Sequence, residues 1–157
     1  MAAATFPSGG NGRGGLGRRL LLAWLLWALG SGLVSAQALP DTEAQSVRAV
    51  VEAQLAAFAA GDAERAFSFA SPGIQQRFGN ANSFMTMVAQ SYPMVVRPQT
   101  VAFLKPRSDR GMVVQPVQLR DLAGRSWIAF YGLSREGRGG WRINGCVVSP
   151  NQDAPTT

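Results

Sequence analysis

The stretch TEAQSVRAVVEAQLAAFAAGD, residues 42–62, decides the fold. Val47, Val50, Val51, Leu55 and Phe58 recur at the spacing of one helical stripe, while Arg48, Glu52 and Ala59 fall off it. Thr42 with Gln45 has the spacing of a capping box, Asp41 adds negative charge at the helix start, and Gly61 supplies a stop. The pattern predicts an amphipathic helix over 42–60, built to cover a sheet. Gln54 falls inside the apolar stripe, where an amide is either satisfied in the core or faces a cavity.

Downstream, the helical period continues in short pieces. Asp62 can cap a second helix through Ala70, Ser71-Pro72 starts a third that runs to Phe78 and stops at Gly79-Asn80, and a fourth covers roughly 82–91 with Phe84, Met87 and Val88 on one face. Tyr92-Pro93 ends it. The period then changes to two. Residues 99–105 alternate with Val101 and Phe103 on one side, and 111–120 place Val113, Val117 and Leu119 together, with Pro116 predicting an edge or a bulge. Residues 126–134 are apolar on both faces, as in a central strand, and 140–148 alternate through Trp141, Ile143 and Val147, which places Cys146 on the opposite face. The connections 105–111, 121–124 and 135–140 are turns, so the last three strands should form an antiparallel meander. Helices followed by sheet define an α+β domain over 42–148, with a short linker at 37–41 and a disordered tail at 149–157.

Upstream, residues 1–36 read as an export signal. Arg13, Arg18 and Arg19 precede the apolar run from Leu20 to Leu29, and Val34-Ser35-Ala36 forms a small-x-small exit, with cleavage expected between Ala36 and Gln37. Leu20 to Ala38 falls just short of the ~20 apolar residues of a spanning helix, and Gly30, Ser31, Gly32 and Gln37 weaken it, so cleavage is favoured over an anchor. Arg18-Arg19 permits a twin-arginine route, but Gly17 stands where a polar residue is usual, which favours the general secretory route. The GxGxxG match at Gly10–Gly15 has no strand before it and carries no dinucleotide site. The expected location is periplasmic or extracellular.

Composition then excludes most chemistry. The 157 residues contain no histidine and one cysteine, so a Ser/His or Cys/His nucleophile, a histidine-ligated metal, an intramolecular disulfide and a CxxC pair are all ruled out. The net charge of +6 belongs partly to the leader: beyond Ala36, twelve bases face nine acids, a net of +3, with signs alternating. That distribution argues against a nucleic-acid partner. Asp62, Glu64, Asp109, Asp121 and Glu136 fall at caps or turns, where acids are solvated, and Glu52 lies on a polar helix face. No carboxylate has a reason for a raised pKa, which argues against catalysis.

Ala56-Ala57-Phe58-Ala59-Ala60-Gly61-Asp62 running into Ala66-Phe67, then Ser71-Pro72 with Phe78-Gly79, then Phe84, Met87-Val88, Tyr92, and Val101 with Phe103, resembles the nuclear transport factor 2-like superfamily. Within it the chain is most similar to domain-of-unknown-function family 4864, over about residues 42–148. The resemblance implies a cone in which a curved sheet wraps the long helix and can enclose an apolar pocket. It implies no activity, because this fold hosts many functions.

The expected function is a non-catalytic binding module for a small apolar ligand or a protein partner, without cofactor or metal. Gln54, Phe58, Phe67, Phe84, Tyr92, Phe103, Trp127 and Tyr131 are the candidate pocket residues, since aromatics of this number exceed what a plain sheet surface needs. The alternative is lipid carriage or membrane-surface contact, with Arg135, Arg138 and Arg142 meeting anionic head groups. An isomerase or dehydratase in the cone ranks third, since such sites need a buried base. A dimer is allowed by the sequence but not required. An open apolar cavity containing Gln54 and Tyr131 favours ligand binding, whereas a filled core favours a partner surface. N-terminal sequencing of protein from an extracytoplasmic fraction is expected to begin at Gln37; a chain still starting at Met1 would overturn the cleavable signal.

Overall fold

The computed structural model describes residues 38–152, so the leader, the Ala36–Gln37 cleavage position and residues 153–157 of the tail lie outside the described residues. Helices α1 (Asp41–Ala60), α2 (Ala63–Ser68), α3 (Pro72–Phe78), α4 (Ala81–Ser91) and α5 (Pro93–Val96) come first. Strands β1 (Thr100–Phe103), β2 (Arg107–Asp109), β3 (Met112–Arg120), β4 (Ser126–Arg135) and β5 (Trp141–Pro150) follow. The domain is α+β: helices, then a curved, open antiparallel sheet in the order β1-β3-β4-β5, with β2 also paired to β3. The last three strands form the expected meander.

The stripe on α1 is the core face. Val47, Val51, Leu55 and Phe58 are buried with Val113, Val117, Leu119, Ala129 and Leu133 of the sheet. The capping box does not form. The helix starts one residue earlier than expected, with the Pro40 carbonyl accepting from Glu43 N and Ala44 N, so Thr42 stands inside the first turn. At the other end Gly61 takes φ +70° and Asp62 N donates to Ala57 O, a glycine-terminated stop that only a residue without Cβ adopts cheaply. The same Asp62 then accepts from Arg65 N at 3.0 Å and starts α2. Asn80 caps α4 in the same way, through Ser83 N at 2.8 Å.

Helix α2 ends at Ser68, two residues short of expectation, because the next segment joins the sheet. Ile143 N donates to Phe69 O and Ser71 N donates to Ile143 O, each at 2.9 Å, which makes Ala70 a parallel partner of Ile143. Two backbone bonds to a strand outweigh another half-turn of a short helix. Helix α5, opened by Pro93 at its first position, stands where a chain stop was expected.

Strand β5 carries an extra residue. Gly132 faces Gly145 but Leu133 faces Ile143, which leaves Asn144 without a cross-strand partner. This bulge reverses the alternation. Trp141 and Ile143 point into the core as expected, yet beyond the bulge it is Cys146 and Val148 that pack inward, and Val147 is 66% exposed. The sequence expectation for Cys146 and Val147 is therefore inverted. Strand β5 also runs through Pro150, and Asn151 N donates to Ser126 O, so the tail begins later than residue 149. At the other end of the chain Ala38 bridges Arg107 and Leu39 is buried, so the linker is partly built into the domain.

Pro116 lies in an interior strand, and the structure shows how that is tolerated. β1 and β2 flank one side of β3 as a single edge broken at residues 104–106. Leu104 N donates to Pro116 O at 3.0 Å, but proline has no N–H to return the bond to Leu104 O. The buried Gln115 side chain supplies it: Nε2 donates to Leu104 O at 2.7 Å and to Pro116 O at 2.9 Å. Gln115→Ala is expected to cost about 1–3 kcal/mol by stranding the Leu104 carbonyl. In a Pro116→Ala background, where the backbone can make the bond itself, chemical denaturation should show a loss smaller by about 1 kcal/mol. Equal losses in the two backgrounds would refute the compensation.

Candidate functional site

Between the helices and the inner face of β4–β5 lies a cavity of about 430 Å³. Its walls come from Phe58 on α1, Ile74 and Phe78 on α3, Phe84, Met87 and Val88 on α4, and Ile143 on β5. Phe84 organises the aromatic side, with ring centroids 6.0 Å from Phe58, 5.4 Å from Phe67 and 5.5 Å from Phe78. The Phe78 contact is edge-on, a geometry that aromatic quadrupoles favour.

Gln54, Arg77, Tyr92, Tyr131 and Cys146 interrupt these walls with polar atoms. Gln54 is buried and lines the cavity, and its Nε2 donates to Ala66 O at 3.0 Å. Tyr131 is 1% exposed and its hydroxyl has no hydrogen-bond partner among the described residues. Cys146, its register partner on β5, stands beside that hydroxyl and interacts with it electrostatically, although the pair falls outside the geometry of a well-formed hydrogen bond. Burial pushes the Cys146 thiol up to about 12 and the Tyr131 phenol well above its ordinary 10.0, so both stay neutral. Arg77 is the one charged residue among those lining the cavity.

The expected pocket residues divide. Gln54, Phe58, Phe84, Tyr92 and Tyr131 line this one cavity. Phe67 does not: it packs behind Phe84 from α2. Phe103 stands at a different groove, under the Arg48 guanidinium at 4.8 Å. Trp127 is engaged at the β3–β4 turn, where Nε1 donates to Asp121 Oδ2 at 2.9 Å. Cys146 was missed because the bulge brings it inward, and Val95 because α5 was not foreseen. Phe78 and Met87 were legible as apolar but not as cavity walls, and Arg77 carries no sequence signal at all.

Asp121 corrects the expectation of a solvated turn acid. It is buried and accepts from Trp127 Nε1, Ala123 N, Arg125 N and Arg125 Nε. The Trp127 bond, with help from Arg125, holds its pKa at about 2 against an ordinary 3.8. That is the reverse of what a general base needs. The head-group arginines are also partly committed: Arg135 pairs with Glu43 at 2.7 Å and lies 4.8 Å over the Trp141 ring, and Arg142 donates to the Trp141 carbonyl. Among the described residues no three acids, histidines or cysteines come together to hold a metal ion, and no helix is long and apolar enough to cross a membrane.

An α+β domain with an apolar cavity between its helical layer and its sheet is the class that fold and site define. The chain belongs to the family described as domain of unknown function 4864, whose model matches residues 40–156. No curated protein and no solved structure matches it.

The Asp121 network has a definite pH signature. Its folded pKa lies below the unfolded one, so its contribution is complete above pH 3.8 and is lost as pH falls through about 2. Thermal unfolding should show Asp121→Asn less stable than the parent near neutral pH, with the gap closing across that acid window. A gap independent of pH would refute the role of the charge.

Proposed function

We propose that the chain is an exported, non-catalytic binding module, built on a nuclear transport factor 2-like cone, that takes a small apolar ligand in the cavity beneath α1. The observation that carries the reading is the Tyr131 hydroxyl: a fully buried donor without a partner, on the wall of an apolar cavity of about 430 Å³. Native interiors rarely strand such a group, because its desolvation costs about 1–3 kcal/mol. Among the described residues Trp141 Nε1 is the other buried side-chain polar atom without a partner, and Trp141 does not line the cavity. A ligand that brought a hydroxyl or carbonyl oxygen to Tyr131 would relieve the cost there. Gln54, which lines the same cavity, carries an amide oxygen as the complementary acceptor.

The volume supports the same reading. At ~30 Å³ per water, the space equals about fourteen waters, and pockets that hold small ligands begin near ~300 Å³. Catalysis lacks support, since the cavity lining contains no carboxylate and Tyr131 and Cys146 are held neutral. The cavity also favours ligand binding over a role confined to a partner surface. The alternative of contact with a membrane surface through Arg135 is weakened by that residue's commitment to Glu43 and Trp141.

Tyr131→Phe separates binding from stability. Because no hydrogen bond is lost, the ligand-free variant should unfold at the parent Tm or higher, by up to about 1 kcal/mol. In a thermal-shift screen of medium-chain alcohols, ketones and hydrocarbons, the parent should prefer the oxygenated probes, and a probe at a hundred times its Kd should add about 2.7 kcal/mol. Tyr131→Phe should lose that preference. No shift with any probe would sink the proposal.

A further inference from the structure

The two kinds of polar group on the cavity wall differ in depth. Tyr131 and Gln54 are 1% and 2% exposed, so they mark the floor. Arg77, in the last turn of α3, is exposed and lines the same cavity, so it marks the mouth. No acidic residue lines the space, and among the described residues Arg77 has no carboxylate partner. Three arginines elsewhere are answered by carboxylates. Arg48 pairs with Glu52, Arg125 with Asp121 and Arg135 with Glu43. Arg48, Arg125 and Arg135 each also cover an aromatic ring. Arg77 is thus a cation at the rim of an apolar cavity with no ion pair among the described residues.

We propose that the ligand of this cavity is an amphipathic acid: a carboxylate bound by Arg77 at the mouth, an apolar body along Phe58, Phe84 and Ile74, and an oxygen function at the far end that meets Tyr131 and Gln54. This rests on the binding reading above and narrows it to a ligand class. The guanidinium presents paired donors whose geometry matches the two oxygens of a carboxylate, which an exposed lysine would match less well. The ligand's anion stays at the solvated rim, so no charge is buried, and the desolvated portion is the apolar chain. Both ends of the molecule are therefore specified, the outer by charge and the inner by hydrogen bonding. A plain fatty acid would satisfy Arg77 but leave the Tyr131 hydroxyl stranded. A diol would satisfy Tyr131 but leave Arg77 to water.

Four probes with one chain length separate these contributions: decanol, decanediol, decanoate and ω-hydroxydecanoate, titrated calorimetrically into the purified protein. ω-Hydroxydecanoate should bind tightest. The advantage of decanoate over decanol should be about three- to tenfold, the size of one rim charge pair. It should vanish in Arg77→Gln, survive in part in Arg77→Lys, and shrink as salt is raised. The advantage conferred by the ω-hydroxyl should vanish in Tyr131→Phe and persist in Arg77→Gln. Arg77 is exposed and makes no ion pair, so its variants should match the parent in Tm, which keeps the comparison free of folding effects.

Equal binding of acids and alcohols, or an acid advantage that persists in Arg77→Gln, would overturn the acid class and leave the binding module standing. Absence of binding by all four probes would overturn both readings. A vesicle arm distinguishes a free acid from an anionic surface. Parent and Arg77→Gln proteins are sedimented with phosphatidylglycerol vesicles, and equal sedimentation without binding of the free acids would place anion recognition on the protein surface and refute the cavity assignment.

Discussion

The cavity depends on the pair of backbone hydrogen bonds that Ile143 exchanges with Phe69 and Ser71. They convert the α2–α3 connection into a short parallel partner of β5, and so hold α3 beside the sheet edge. The bulge follows at once, at Asn144. By shifting the alternation it turns Cys146 inward beside Tyr131 and sends Val147 outward. The clamp sets where the helical layer meets β5, and the bulge sets which side chains line the space enclosed.

Polar groups in the interior fall into two kinds. Gln115 and Asp121 are answered within the protein: one replaces the donor missing from Pro116, the other gathers the β3–β4 turn and Trp127 around a carboxylate held at about 2. These groups stabilise the sheet and offer nothing to a ligand. The Tyr131 hydroxyl has no such answer among the described residues, and Tyr131 lines the cavity; Trp141 Nε1 is likewise unpaired but lies away from it. Since buried polar groups are nearly always paired, the unanswered hydroxyl beside the cavity is the ground of the proposed ligand site.

Much of the fold was legible because its elements are periodic. The α1 stripe reads directly as the face that packs on β3 and β5, and Gly61-Asp62 reads as a stop followed by a cap, since glycine tolerates positive φ and aspartate accepts a first-turn N–H. Pro116 illustrates the limit. A proline in a strand argues for an edge, and the inference fails here because Gln115, its neighbour in sequence, reaches across to Leu104, a contact visible only after the chain has folded. Among the aromatics, Phe58, Phe84, Tyr92 and Tyr131 were distinguishable from Phe67, Phe103 and Trp127 only by where each lands in the fold: Trp127 and Tyr131 share one face of β4 and differ in their place along it.

From the residues alone came the α+β order, the amphipathic long helix, the missing histidine and the single thiol, because composition and periodicity are local properties of the chain. Only the tertiary structure decided that Asp121 is buried and held charged, that Cys146 and Tyr131 share a wall, and that Arg77 reaches the mouth of the same space. The first and last depend on how distant segments pack, and the second on register, since one extra residue in β5 is enough to exchange the two faces of a strand.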